Sequence, residues 1–165
     1  MSTDAITILR ADHKEVRALF REFEKSSTTP ARQGAIVKKC IELLTMHTYI
    51  ENEVMYPEVR RLLPELEDDV LESYEEHHVA DVLVLELSTM KPEDERFTAK
   101  TTVLIENVEH HMAEEEEDWF PKVREGLGRK QLQDLGAEML RARAKAPRRP
   151  SQPGAVKKVV KAVTG

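Results

Sequence analysis

Two short stretches of this chain carry side chains suited to metal chemistry. One is His47-Thr48-Tyr49-Ile50-Glu51, followed by Asn52-Glu53-Val54-Met55-Tyr56-Pro57. The other is His111-Met112-Ala113-Glu114-Glu115, followed by Glu116-Glu117-Asp118-Trp119-Phe120-Pro121. Each places a His four residues before a Glu, and an aromatic-Pro pair beginning five residues after that Glu. Residues four apart on a helix project from one face, a turn apart. Each stretch therefore aims one imidazole and one carboxylate at a common point, a donor pair that suits iron, zinc or manganese.

The two stretches are copies in register. His47 and His111 are 64 residues apart, and so are Glu51 and Glu115, Tyr56 and Phe120, and Pro57 and Pro121. The same step relates His13 to His77. The chain thus reads lone His, then His-x-x-x-Glu, twice, with 34 residues from lone His to pair in both copies. Only six His occur, and four fall in this register. Duplication of a helix pair accounts for that. His78 aligns with Lys14 and His110 with Met46, so His77 and His111 are the functional members of their doublets.

Helices must position these groups. The first is expected from a cap at Asp4 to about Lys25, with Ile8, Val16, Leu19, Phe20 and Phe23 sharing the buried stripe of His13. After a polar loop, Pro30 opens a second helix carrying Ile36, Val37, Cys40, Leu43, Leu44, His47 and Glu51. Pro57 is expected to kink or end it. Pro64 opens a third, with Val70, Tyr74, His77, Val84 and Leu87 inward. A fourth runs from about Glu93 through Val103, Leu104, Val108 and His111 to Pro121, and Gly126 and Gly128 stop it. A shorter fifth spans Arg129 to about Lys145, with Leu132, Leu135, Met139 and Leu140 on one side. Short connections make neighbours antiparallel. The expectation is an all-α chain: an up-down-up-down four-helix bundle over 1–125, an appended short helix over 126–145, and a basic, weakly structured tail over 146–165.

Composition agrees with long amphipathic helices: 34% charged residues, 5% aromatic and only 6 Gly. No run of about 18 apolar residues exists, so no membrane span is expected. The first residues lack a basic-then-apolar signal pattern, and the single Cys40 has no mate, which together point to the cytoplasm. The net charge of −6 hides an asymmetry. From Arg141 onward there are eight Lys/Arg and no acids, leaving the preceding 140 residues at −14. The tail reads as a solvated extension, with nucleic acid or an acidic partner as its competing use.

Burying two carboxylates without cations costs several kcal/mol each as an order of magnitude. A metal pair removes that cost. Four imidazoles and two bridging carboxylates supply about eight of the twelve bonds of two octahedral ions. A bridging oxo or hydroxo group adds two, leaving about two for water or substrate. The inference is a dinuclear centre of two iron ions, with zinc as the competing metal. Apart from Glu115, the acidic run from Glu114 to Asp118 reads as a solvated face.

These residues resemble the hemerythrin-like proteins, the HHE cation-binding family, over roughly Ile6 to Arg124. The carriers are His13, His47-x-x-x-Glu51 ending in Tyr56-Pro57, Glu76-His77, and His111-x-x-x-Glu115 ending in Phe120-Pro121. The resemblance implies a non-haem di-iron site in a left-handed bundle, with His13, His47, Glu51, His77, His111 and Glu115 as ligands and the two Glu bridging. Oxygen-carrying members have a fifth His four residues along the third helix; here those positions are Ser73 and Asp81. Some bacterial relatives with the reduced set are associated with catalase-like breakdown of hydrogen peroxide or with nitric oxide. The resemblance therefore implies a small-molecule partner (H2O2, O2 or NO) at an open iron position; Tyr74, three residues before His77, is a candidate hydrogen-bonding or packing neighbour of it. A sensing or storage module without turnover is the alternative. A zinc-filled structural bundle ranks behind it, and a di-metal hydrolase behind that, since no phosphate-holding loop is evident.

Overall fold

The computed structural model describes residues 3–25 and 29–150. Eight-residue or longer helices are α1 (Ala5–Lys25), α2 (Pro30–Ile50), α4 (Glu67–Thr89), α5 (Phe97–Glu114) and α7 (Arg129–Arg143). Two short segments, α3 (Tyr56–Leu62) and α6 (Phe120–Gly126), continue α2 and α5. The described residues form no strand. α1 packs on α2, α4 on α5, and α2 on α4, giving the expected up-down-up-down bundle. α7 lies across α1 and α2. It can approach that closely because Gly136 has no Cβ: one would sit 2.2 Å from the carbonyl oxygen of Thr3 and 2.9 Å from the nitrogen of Ala5.

Local chemistry explains the ends. Asp4 caps α1, its carboxylate accepting from the backbone N–H and the hydroxyl of Thr7 at 2.9 and 3.0 Å. Thr29 caps α2, with Pro30 in the first turn where its missing N–H costs nothing. Pro64 opens a 3₁₀ turn, Pro64–Leu66, that leads into α4.

Of the two outcomes expected at Pro57, a kink or an end, the helix does not end there: it continues as α3. A wide π turn, Glu51–Met55, precedes it, and the N–H of Tyr56 reaches back five residues to the carbonyl of Glu51. The second copy repeats this: Glu115–Trp119 is a π turn and Phe120 N–H reaches Glu115. The reason lies in the spacing of inward residues. His47, Glu51, Met55 and Val59 are each four apart, as are His111, Glu115, Trp119 and Val123, and all eight are buried. On an ideal α-helix each step of four drifts about 40° around the axis. The wide turn absorbs that drift and keeps the carboxylates on the inner face; such π-bulges recur at functional sites.

Three details differ from the sequence reading. α5 begins at Phe97, because Met90–Arg96 forms turns instead. Val103 and Leu140 face outward, 44% and 41% exposed, since neither lies on its helix's inner stripe. Cys40 is buried as expected, and burial pushes its thiol up to about 12. No helix among the described residues is long and apolar enough to cross a membrane.

The core has two apolar halves. Ile6, Leu9, Ile50, Met55, Tyr56, Trp119 and Phe120 belong to the half beneath α3, α6 and α7. Val16, Phe20, Leu44, Val84, Leu104 and Met112 belong to the other. Along α1, α2, α4 and α5 the inward His falls between residues of the two halves, so the imidazoles form a polar layer walled by apolar side chains above and below.

Candidate metal centre

All six residues singled out by the spacing meet in that layer. His13, His47, Glu51, His77, His111 and Glu115 are each buried, from 0% to 7% exposed. Glu51 and Glu115 divide their oxygens between two pairs of imidazoles. Glu51 Oε1 is 3.3 Å from His47 Nε2, and its Oε2 is 3.1 Å from His77 Nε2. Glu115 Oε2 is 3.2 Å from His13 Nε2, and its Oε1 is 3.4 Å from His111 Nε2. Two donor clusters result. One joins His13, His47, Glu51 and Glu115, the other Glu51, His77 and His111, each with ligand atoms within 4.8 Å of one another.

Five inward atoms have no hydrogen-bond partner: His13 Nε2, His47 Nε2, Glu51 Oε1 and Oε2, and Glu115 Oε2. Orphaned buried groups of this kind cost roughly 1–3 kcal/mol each, more when charged. All five are Lewis bases converging on one layer, which is the arrangement a pair of cations satisfies.

Each imidazole is held from behind by its Nδ1. His13 donates to Glu116 Oε1 at 2.8 Å, His47 to Asp12 Oδ2 at 3.0 Å, His77 to Asn52 Oδ1 at 2.8 Å, and His111 to Glu76. An Nδ1–H held outward leaves Nε2 free to face the centre, the tautomer a metal needs. Of these partners only Glu76 enters the sequence reading, beside His77 as a carrier of the resemblance, yet the spacing holds all four: Asp12 and Glu76 are 64 residues apart, and so are Asn52 and Glu116. Glu116 is thereby a correction to the solvated-face reading of its run. It is held by Arg17 from α1 at 2.8 and 3.0 Å as well as by His13.

Tyr74 takes the packing role of its two expected ones, and another tyrosine supplies the hydroxyl at the centre. The hydroxyl that reaches the centre is that of Tyr56, which donates to Glu115 Oε1 at 2.7 Å and lies 3.2 Å from His77 Nε2. Tyr74 stands one layer out; its hydroxyl donates to the Asn52 carbonyl at 3.4 Å and its ring packs edge-on against Tyr56. The counterpart of Tyr56 in the first cluster is Phe120, stacked on His13 at 5.7 Å. One half of the centre therefore carries a phenol and the other an apolar ring.

The metal-free electrostatics are those of crowded charges. Burial, reinforced by Glu115, pushes Glu51 up to about 7. Burial opposes the charge on Glu115 too, but His111 and His13 outweigh it and hold that carboxyl well below its usual range. Burial likewise opposes protonation of His111, yet Glu115 and Glu76 raise it to about 9. His77 is depressed to about 3 by burial and by His111. Protonated His111 then donates to neutral His77, their Nε2 atoms 3.0 Å apart.

Several openings reach the layer, among them one of about 120 Å³ lined by Asp12, Glu15, His47 and Arg143. A cleft of about 260 Å³ is lined by Asp69, Glu72, Glu76, Glu114 and Asp118 and ends on His111, Glu115 and Trp119. A crevice of about 20 Å³, room for one water-sized molecule, lies beside His47, His77, Asp81 and His111.

The sequence model of the hemerythrin HHE cation binding domain matches residues 4–123. The chain belongs to this family. The match takes in all six residues of the layer and the four that hold the imidazoles. A structure of a hemerythrin HHE cation binding domain-containing protein from Mycobacterium kansasii superposes on this HHE domain with a TM-score of 0.70, at 20% identity, covering 86% of this chain and 88% of that one. That likeness is one of fold. A protein described as a DNA nickase, from Nostoc sp., is 30% identical over 145 residues; the match takes in 86% of this chain and spans 40% of that protein's length. As a member of the family, this HHE domain is a cation-binding module with His/Glu clusters able to hold metal.

Proposed function

We propose that the layer holds two iron ions and that the loaded domain disproportionates hydrogen peroxide. One ion would lie between His13 and His47, the other between His77 and His111, with Glu51 and Glu115 each serving both. The observation that carries this is the division of each carboxylate's oxygens between the two imidazole pairs. Iron supplies the redox cycling that oxidises one peroxide to dioxygen and reduces another to water.

The chain's own residues do the rest. The outward Nδ1 bonds fix all four imidazoles. The two apolar halves exclude bulk water. Ser73 and Asp81 stand at the third-helix positions four residues from His77, and the small crevice lies beside His47, His77, Asp81 and His111. Tyr56 offers a hydroxyl beside His77 and His111 for hydrogen bonding to whatever binds there.

Iron-loaded protein is expected to turn over peroxide, while the His47→Ala/Glu51→Ala double variant does not. Oxygen evolution at equal protein concentration measures this. Full turnover by the double variant would overturn the reading. Stoichiometric iron with no turnover would leave the alternative, a module that stores iron or senses oxygen or nitric oxide.

Loading must also move protons, because imidazole ligates neutral and carboxylate ligates charged. At pH 7 His111, with its pKa near 9, carries a proton it must lose, and Glu51, near 7, is about half protonated. Metal uptake at pH 7 should therefore release at least one proton per chain, and apparent affinity should fall as pH drops below about 9, more steeply below about 7. A titration in weakly buffered indicator solution reads this directly; uptake without proton release would contradict the assignment of His111.

Nucleic acid is a second reading, favoured by the relative described as a nickase and by the basic run from Arg141. Two of that run's arginines are already engaged, Arg143 with Asp12 and Arg148 with Glu42 at 3.6 Å. The remainder of the run beyond residue 150 lies outside the described residues.

A further inference from the structure

The appended helix α7 lies beyond residues 4–123, the stretch that matches the HHE domain, yet its last residue is linked to the centre. Leu132, Leu135 and Met139 seat α7 in one apolar half, and it packs on α1, α2 and the wide turn Glu51–Met55. Arg143, in its last turn, donates to Asp12 Oδ2. The same oxygen accepts the Nδ1–H of His47 at 3.0 Å. Two contacts thus join α7 to an imidazole of the layer.

The other imidazole of that half is held alike. Glu116, which accepts from His13, is gripped through both oxygens by Arg17. On the second half the holders are Asn52, which is neutral, and Glu76, which pairs with no arginine among the described residues. The place of Asp12 explains why its carboxylate needs a cation. It is 16% exposed and lines, with Glu15 and His47, the cleft of about 120 Å³ that Arg143 also lines. Water in the cleft, and repulsion from Glu15 one turn away, would draw an unpaired carboxylate off His47. A charged donor on the shared oxygen holds it in place.

We infer that Arg143 is a positioning residue for the first metal position, acting through Asp12 to keep His47 turned toward the ion. This rests on the two-metal reading of the layer. Charge and positioning pull in opposite directions here, so the sign of the effect separates them. A guanidinium repels a nearby dication, and charge alone predicts tighter metal binding once Arg143 is gone. Positioning predicts weaker binding. Salt at about 0.15 M screens the repulsion beyond about 8 Å. Loss of an outer partner costs roughly 10–100-fold in metal affinity, and Arg143 stands one contact further out, so a loss of about fivefold is expected.

The test is the cobalt(II) affinity of the metal-free full chain, measured anaerobically at that salt by competition with a coloured chelator. Arg143→Gln should bind more weakly by that factor, and Arg143→Lys should restore most of the loss. Arg32→Gln, which breaks an exposed pair with Glu22, should change nothing. In an Asp12→Ala background the Arg143→Gln change should add no further loss, because its route to His47 is gone; a merely structural role would add in both backgrounds. Tighter or unchanged binding by Arg143→Gln, or an equal loss in the Asp12→Ala background, would overturn the inference. Failure of the wild-type protein to take up cobalt at all would instead overturn the two-metal reading beneath it.

Discussion

Glu51→Gln should empty both metal positions at once, whereas His77→Gln should empty one. The difference follows from geometry. Glu51 presents one oxygen to the His47 side and the other to the His77 side, and both oxygens are otherwise unpartnered. Glutamine keeps the volume but loses the charge and one donor oxygen, so it cannot serve two ions. His77 points a single Nε2 into its own half. Loss of an outer partner such as Asp12 costs roughly 10–100-fold in metal affinity; loss of a shared ligand should exceed that at both positions. The fold should survive, because Glu51 is destabilised in the metal-free protein by burial and by the neighbouring charge of Glu115. Metal content per folded chain, with helicity confirmed by circular dichroism, measures the effect. Retention of two metals by Glu51→Gln would show that the carboxylate is not shared.

Stripping metal should lower the melting temperature by roughly 10 °C. Five Lewis-basic atoms lose their partners when the ions leave, inside a layer walled by two apolar halves. A ligand that binds only the folded state, at about a thousand times its dissociation constant, contributes about 4 kcal/mol. For a chain of this size each kcal/mol corresponds to roughly 2–4 °C. Thermal unfolding of loaded and chelated samples at one pH checks this. Equal melting temperatures would mean that no ion satisfies the layer.

The bundle was legible because its helices are long, amphipathic and separated by short Pro- and Gly-marked turns. The six inner residues stood out because like residues recur at a step of 64. The four residues that hold the imidazoles obey the same step but did not stand out, because the pairs are unlike: Asp12 with Glu76, and Asn52 with Glu116. Glu116 was further hidden in an acidic run, and only folding brings Arg17 and His13 against it from α1. The π turns were illegible for a different reason. Proline at positions 57 and 121 signals a break, and only the buried series in steps of four, read with the chain folded, shows that the helix widens instead. Tyr56 was visible as a repeat marker opposite Phe120, but that its hydroxyl reaches Glu115 shows only in the folded chain.

The measurement that bears most directly on the centre is a crystal structure of iron-loaded protein with anomalous scattering recorded at the iron edge, alongside metal analysis of the same sample. Two peaks per chain, one between His13 and His47 and one between His77 and His111, with Glu51 and Glu115 each touching both, are the expected result. A single peak, or peaks elsewhere with the layer left to hydrogen-bonded side chains, would contradict the account.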